Sequence, residues 1–186
     1  MTVRDILAQV AKIAEGESLQ VSIQNQEEKT DEGVKSKVDS LLSCYNAIVR
    51  EIALNYYEYL KTKEVPQNTI LIESFDLPLL KIVSVVDKQG NSLRYKYENG
   101  KVVAEKYPFT INYRTLPKAQ ELAETFVYDK TPIGENVVIY GVLAEYMLIQ
   151  NRIEEALNWE NKFRQSLDFR IDYKARKLKA GKRWGL

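Results

Sequence analysis

The 186-residue sequence contains no histidine and a single cysteine, Cys44. Without histidine the chain lacks the side chain that most often serves as a general base near neutral pH, and a Ser-His-Asp triad is excluded. One cysteine without histidine also cannot supply the nitrogen and sulfur ligands of an ordinary zinc site. We therefore expect no metal, no cofactor and no enzymatic activity.

A single cysteine also excludes an intramolecular disulfide, which indicates a reducing, intracellular origin. Cys44 lies within a predicted helix, where we expect it to pack as a small apolar side chain. The longest apolar run, residues 136–144, is about half of the ~20 residues that a bilayer-spanning helix needs. No signal-peptide pattern is seen at the N-terminus, so we expect a soluble protein without membrane contact.

Glycine is sparse and scattered, so neither a P-loop nor a dinucleotide-binding fingerprint is present. Neighbouring carboxylates do occur, and solvated surface is their ordinary explanation in polar stretches. An enzyme that uses a carboxylate pair is therefore the least favoured function. The pairs are Glu15/Glu17, Glu27/Glu28, Asp31/Glu32 and Glu154/Glu155.

The charge of the chain is unevenly distributed, although its net value is only +1. Residues 161–186 contain nine Lys and Arg against two Asp, a net charge of +7, which leaves −6 for the rest of the chain. Such a split favours contact between the C-terminal end and a polyanion or an acidic protein surface. A plain solvated tail is the alternative.

Apolar residues that recur every three or four positions predict a first helix over residues 3–15 and a long helix over about 34–63. The same spacing predicts a C-terminal αα-hairpin, in which a helix beginning at Pro132 reverses at Asn151 and Arg152 into a second helix. The polar residues 17–32 are predicted to form a loop.

Residues 67–114 have a different pattern, with short β-branched and aromatic segments separated by turns. The dipeptide Asn99-Gly100 is a strong hairpin signal. The predicted fold is α+β and mainly α: a long central helix and a C-terminal αα-hairpin with an inserted small antiparallel β-sheet. The predicted parts are a helical body (1–66 and 115–186), a β subdomain (67–114) and a flexible basic C-terminal tail (174–186).

Tyrosine is abundant, with twelve copies. Two groups, at the end of the long helix and in the sheet, offer more half-buried aromatic surface than one small core needs. They favour a partner surface, with ordinary sheet packing as the alternative. The candidate subunit-interface residues are Tyr56, Tyr57, Tyr59, Tyr95 and Tyr97.

The segment from Pro132 to Leu186 resembles the head–tail connector (adaptor, head-completion or neck) proteins of tailed bacteriophages. The resemblance consists of the helix from Pro132 to Tyr146, a short reversal, the helical residues 154–163, and the closing Lys182-Arg183-Trp184. The long helix and the inserted sheet extend it more loosely. The first 33 residues match nothing in the family pattern, and the sheet is longer than in minimal connectors.

The resemblance implies a virion neck protein made in the host bacterial cytoplasm. It would form a ring beneath the portal, match the portal's twelvefold symmetry, contact the tail or a second neck protein, and let double-stranded DNA pass without sequence-specific binding. The residues implied in portal docking are Lys174, Arg176, Lys177, Lys179, Lys182, Arg183 and Trp184. The alternative is a soluble helical interaction module whose basic tail binds nucleic acid or an acidic protein partner.

Overall fold

The computed structural model describes residues 1–129 and 131–168 in full and the backbone of residues 169–180. Within these residues the chain forms five α-helices and two three-stranded antiparallel sheets. The predicted α+β, mainly helical fold is confirmed. The chain divides into a helical unit, formed by Met1–Ile52 and the residues from Ala119 onwards, and a β unit, Ala53–Lys118.

The helices follow the predicted periodicity over most of their length. A capping box between Thr2 and Asp5 begins the first helix, where the Asp5 carboxylate accepts the Thr2 backbone N–H at 2.8 Å. The reversal between the last two helices lies at Asn151, whose φ of +60° turns the chain. The helices are α1 (Val3–Ala14), α2 (Glu17–Gln24), α3 (Glu32–Asn55), α4 (Glu135–Ile149) and α5 (Ile153–Ala180).

The loop predicted over residues 17–32 is wrong, because this segment contains α2 and a turn of 3₁₀ helix over Glu27–Lys29. Gly16, at φ +102°, turns the chain directly from α1 into α2. Leu19 and Ile23, four residues apart, are both buried. Two apolar residues in a polar segment give a weak periodic signal, and burial in the tertiary structure decides in favour of the helix.

Helix α4 is the most enclosed helix of the helical unit. Val137, Val138 and Ile139 are consecutive and all buried, so the helix has apolar neighbours on several sides. Gly141 allows α4 to approach α3 closely, since a Cβ built there would lie 2.8 Å from Cγ2 of Ile48. The helix begins at Glu135 rather than Pro132, and the Thr131 hydroxyl accepts the Ile133 N–H at 3.2 Å just before it.

Helix α3 ends at Asn55, eight residues before the predicted end at Lys63. The following segment forms a strand, β1 (Leu60–Val65), which pairs with the last strand of the β unit. At the helix end, the Arg114 guanidinium donates to the Ala53 carbonyl at 2.8 Å and satisfies a backbone group of the last turn. The end of α3 is thus determined by partners about 50 to 60 residues away along the chain.

The β unit contains two sheets where one was predicted. After β1, its strands are β2 (Thr69–Leu71), β3 (Lys81–Val86), β4 (Tyr95–Glu98), β5 (Lys101–Ala104) and β6 (Phe109–Arg114). One sheet has the strand order β1-β6-β3 and the other β2-β5-β4. Asn99 and Gly100 both have positive φ in the turn between β4 and β5, which confirms the predicted hairpin.

The two sheets share one core, to which Val85 and Ile111 contribute from the first sheet and Val102 from the second. The β unit therefore begins at Ala53, earlier than the predicted 67–114, and the helical body is shorter than the predicted 1–66 and 115–186. The physical reason is the pairing of β1 with β6, which makes residues 60–65 part of the first sheet and places Val65 in the β core.

Candidate interaction surfaces

The predicted docking residues of the C-terminal segment fall at and beyond the end of α5. Lys174, Arg176, Lys177 and Lys179 lie on the helix where the structure describes the backbone alone, and Lys182, Arg183 and Trp184 lie outside the described residues. Residues 174–180 were predicted to be part of a flexible tail and instead continue α5 to Ala180. Lys, Arg, Leu and Ala are favourable helix formers, which explains the extension.

The first tyrosine group lies between α3 and β1 rather than on the helix, because the helix ends at Asn55. Tyr56, Tyr57 and Tyr59 are all half-buried. The Tyr59 carbonyl accepts the Thr115 N–H at 3.0 Å, which starts the pairing between β1 and β6. This group is therefore held by the β unit, and its role as a subunit interface stays a prediction.

The second group, Tyr95 and Tyr97, lies on strand β4. Both side chains are exposed, at 38% and 56%, and their rings meet edge to face with centroids 6.0 Å apart. Partial burial raises the pKa of Tyr97, the neighbouring Tyr95 adds to this, and a hydrogen bond from the Ile82 backbone opposes it. Exposed aromatic rings of this kind are common at protein interfaces.

An exposed apolar surface at the tip of the α4–α5 hairpin was missed from the sequence. Leu148, Ile149, Ile153 and Leu157 are between 54% and 61% exposed, within ten residues of chain. No signal in the sequence distinguishes the run Met147-Leu148-Ile149 from the buried run Val137-Val138-Ile139 of the same helix. We call these four side chains the hairpin-tip surface.

A groove of about 570 Å³ lies elsewhere on the helical unit, bordered by α1, α4 and α5. The Tyr140 and Trp159 rings stack in it with centroids 5.7 Å apart. The Lys162 ammonium lies 4.0 Å from the centre of the Trp159 ring, within the range of a cation–π contact. The indole is thus already engaged by two neighbours, and it joins α4 to α5.

Cys44 is buried, as predicted, at 4% exposure. Burial, reinforced by the nearby Glu145 carboxylate, raises the pKa of its thiol to about 11. At neutral pH the thiol is therefore protonated and weakly nucleophilic. This agrees with a packing role.

The carboxylate pairs seen in the sequence are largely occupied by ion pairs. Arg4 binds Glu28 at 2.7 Å, Lys37 binds Glu15 at 2.6 Å, and Arg152 binds Glu155 at 2.6 Å. Glu51 is different: burial raises its pKa, and the Glu160 carboxylate raises it further. Among the described residues, no group of three or more His, Cys, Asp or Glu side chains is arranged to hold a metal ion.

None of the helices in the described part of the chain combines the length and apolar character needed to cross a membrane. No protein-family model and no curated protein matches the chain. The function is therefore argued from the surfaces above and from the resemblance of residues 132–186.

Proposed function

We propose that the protein is a non-catalytic virion structural protein, a ring-forming connector that joins the portal to the tail and continues the DNA channel. The observation that carries this proposal is the resemblance of residues 132–186 to the head–tail connectors of tailed phages. Its site of action is then the virion neck. Its partners are the portal, a tail or second neck protein, copies of itself, and DNA that passes through the lumen.

The contacts of the C-terminal hairpin support the proposal, because the residues of the resemblance form one packed unit. Gly141 of α4 lies against Phe163 of α5, and Tyr140 stacks on Trp159. The small and aromatic residues that carry the resemblance to connectors are therefore the residues that pack α4 against α5.

The hairpin-tip surface supports assembly into a ring. Four large apolar side chains, each more than half exposed, form a surface on the order of a few hundred Å², a size that often marks a binding site. The contacts in a closed ring are heterologous, so the hairpin-tip surface of each copy would be buried against a different surface of its neighbour, and the same pair of surfaces recurs at every interface.

The charge split supports docking through the C-terminal segment. The net charge of +7 over residues 161–186 suits an acidic portal surface, and Trp184 adds one large anchor. A ring repeats each docking contact around its axis, so avidity strengthens an interaction that is weak in a single copy. The net charge of −6 on the remaining residues suits a channel through which DNA slides.

The test is mass-resolved sizing of the full chain, alone and mixed with the portal protein of the same phage. A variant that ends at Ala180 retains all of α5 and lacks Lys182, Arg183 and Trp184. We expect the full chain to load onto the portal as a ring and the shortened variant to bind at least tenfold more weakly. A second variant, Lys174→Glu with Lys177→Glu, tests the basic part of α5.

A full chain that stays monomeric and ignores the portal overturns the connector proposal. Strong, salt-dependent DNA binding that disappears in the variant ending at Ala180 would instead establish the nucleic-acid-binding module.

A further inference from the structure

Strand β4 is an edge of its sheet, and the hydrogen-bond alternation shows which of its backbone groups point outward. The Glu105 N–H donates to the Arg94 carbonyl at 3.2 Å, and Lys96 and Glu98 pair with residues of β5 in the same register. In an antiparallel ladder these pairs alternate with pairs that make no hydrogen bonds to each other. The backbone N–H and C=O groups of Tyr95 and Tyr97 therefore point away from β5.

The other side of β5 confirms the alternation. The Ala104 N–H donates to the Asn68 carbonyl at 3.0 Å, and the Ile72 N–H donates to the Gly100 carbonyl at 2.9 Å. Even-numbered residues of β5 thus bond toward β2, and odd-numbered residues bond toward β4. The sheet order β2-β5-β4 leaves the far side of β4 as the outer edge.

Strand β3 approaches this edge without closing it. The Leu93 N–H donates to the Val85 carbonyl at 2.8 Å just before β4 begins, and the bridge between Val86 and Ser92 completes that contact. From Tyr95 onward, the described residues supply no strand that pairs with the outer edge of β4.

A small pocket lies beside the same edge. It has a volume of about 240 Å³, and Arg94, Lys96 and Glu105 are the charged residues that border it, with Val103 among the apolar ones. Lys96 already pairs with Glu98 at 3.1 Å, and Glu105 accepts the Arg94 backbone N–H. Among the described residues, the Arg94 guanidinium is therefore the bordering cation that has no ion pair. A partner side chain in this pocket would be matched best by an acidic group.

We propose that the outer edge of β4 binds an extended, acidic segment of a partner chain by strand addition. The backbone groups of Tyr95 and Tyr97 supply the main-chain hydrogen bonds, and the pocket receives an alternate side chain, as in other strand-addition sites. Arg94 pairs with a carboxylate of the segment.

This inference deepens one part of the proposed function, because it rests on Tyr95 and Tyr97 being an interface. It requires neither a ring nor the portal. Binding to β4 is therefore measured on the isolated full chain, and its failure is distinguishable from failure of the connector proposal.

The test uses a fluorescent eight-residue peptide that alternates valine and glutamate, titrated onto the full chain. The matched peptide that alternates valine and lysine reports the charge preference. We expect the glutamate peptide to bind at least tenfold more tightly than the lysine peptide. We also expect the variant Arg94→Glu to reduce that preference.

The main-chain contribution is isolated by two variants at one position. Tyr97→Thr and Tyr97→Pro both remove the ring, but only proline removes the outward N–H, and neither change removes a bond to β5. We expect the proline variant to bind the glutamate peptide at least fivefold more weakly than the threonine variant. Equal affinities of these two variants, or no binding of the glutamate peptide to the unaltered chain, would overturn the proposal.

A measurement on the unaltered chain covers the case in which Tyr97→Pro unfolds. Hydrogen exchange of the Tyr95 and Tyr97 amides should slow at least tenfold when the glutamate peptide is bound. Exchange of these two amides at unchanged rates in the presence of saturating peptide contradicts strand addition.

Discussion

At the scale of single residues, Glu28 is an enclosed carboxylate that ties α1 to the segment after α2. Its side chain is 10% exposed, and its Oε1 accepts from Nη2 of Arg4 at 2.7 Å. Nη1 of Arg4 donates to the Ile23 carbonyl at 2.7 Å, so one guanidinium joins three parts of the chain. The hydrogen bond from Arg4 lowers the pKa of Glu28 below its usual range.

Glu28→Gln is therefore expected to destabilise the protein in a pH-dependent manner. Because the pKa of Glu28 is lower in the folded than in the unfolded state, its contribution is present above the ordinary glutamate pKa of about 4.3 and is lost as the pH falls through the folded-state pKa. We expect a loss of about 2 kcal/mol at pH 7 that shrinks markedly at pH 3, measured by urea unfolding.

Glu17→Gln is the matched control for this experiment. Glu17 pairs with Lys12 at 3.4 Å but is 79% exposed, so its loss should change the free energy of unfolding by less than about 0.5 kcal/mol. An equal loss for Glu28→Gln at pH 7 and pH 3 would contradict the assigned ion pair.

At the scale of helices, the packing of α4 depends on the absence of a side chain at Gly141. A Cβ at this position would lie 2.8 Å from Cγ2 of Ile48 on α3 and 3.1 Å from Cδ2 of Phe163 on α5. Both distances are too short for carbon atoms in contact, which prefer about 3.5 to 4.0 Å. The glycine therefore determines how closely α3 and α5 approach α4.

Gly141→Ala tests this packing, because helix propensity and packing act in opposite directions. Alanine favours the helix by about 1 kcal/mol over glycine, whereas overpacking a core costs about 1 to 3 kcal/mol. We expect a net loss of about 1 kcal/mol in the free energy of unfolding. In a double-mutant cycle with Ile48→Ala, the loss of unfolding free energy in the double variant should be smaller than the sum of the two single losses by at least about 1 kcal/mol. Additive losses would show that Gly141 is not a close-approach site.

At the scale of the whole molecule, the hairpin-tip surface is an apolar feature that a folded single copy leaves exposed. Ile149 and Leu157 are 61% and 59% exposed, so neither contributes much to the stability of one copy. Substituting these residues should therefore weaken assembly without changing the stability of the folded single copy.

We expect the free energy of unfolding of the double variant Ile149→Glu with Leu157→Glu to lie within about 0.5 kcal/mol of that of the unaltered chain. Its association with further copies, measured by sedimentation velocity, should weaken at least tenfold. Val21→Glu is the control, because Val21 is also an exposed apolar residue, at 49%, but lies on α2. Equal association of both variants would exclude the hairpin-tip surface as an interface.

The sequence predicted the elements whose signals are local. Helix α1 and the C-terminal hairpin follow from apolar spacing within a few turns, and the β4–β5 turn follows from Asn99 and Gly100. The α2 segment was missed because Leu19 and Ile23 alone do not make a convincing helical face. The sequence singled out the tyrosines of β4, whose role as an interface stays a prediction, and it did not indicate the hairpin-tip surface.

By itself, the sequence determined the fold class, the hairpin and the charge split, because helical periodicity, turn geometry and charge are properties of neighbouring residues. Only the tertiary structure decided where α3 ends, that residues 60–65 form a strand, and which apolar side chains stay exposed. The first two depend on contacts with β6, which is distant along the chain, and the exposure of the hairpin tip depends on which side chains the packing of α4 against α5 covers. Whether a segment pairs as a strand or becomes buried depends on the free energy of its contacts with another segment. The residue pattern of one segment does not show what that contact will be.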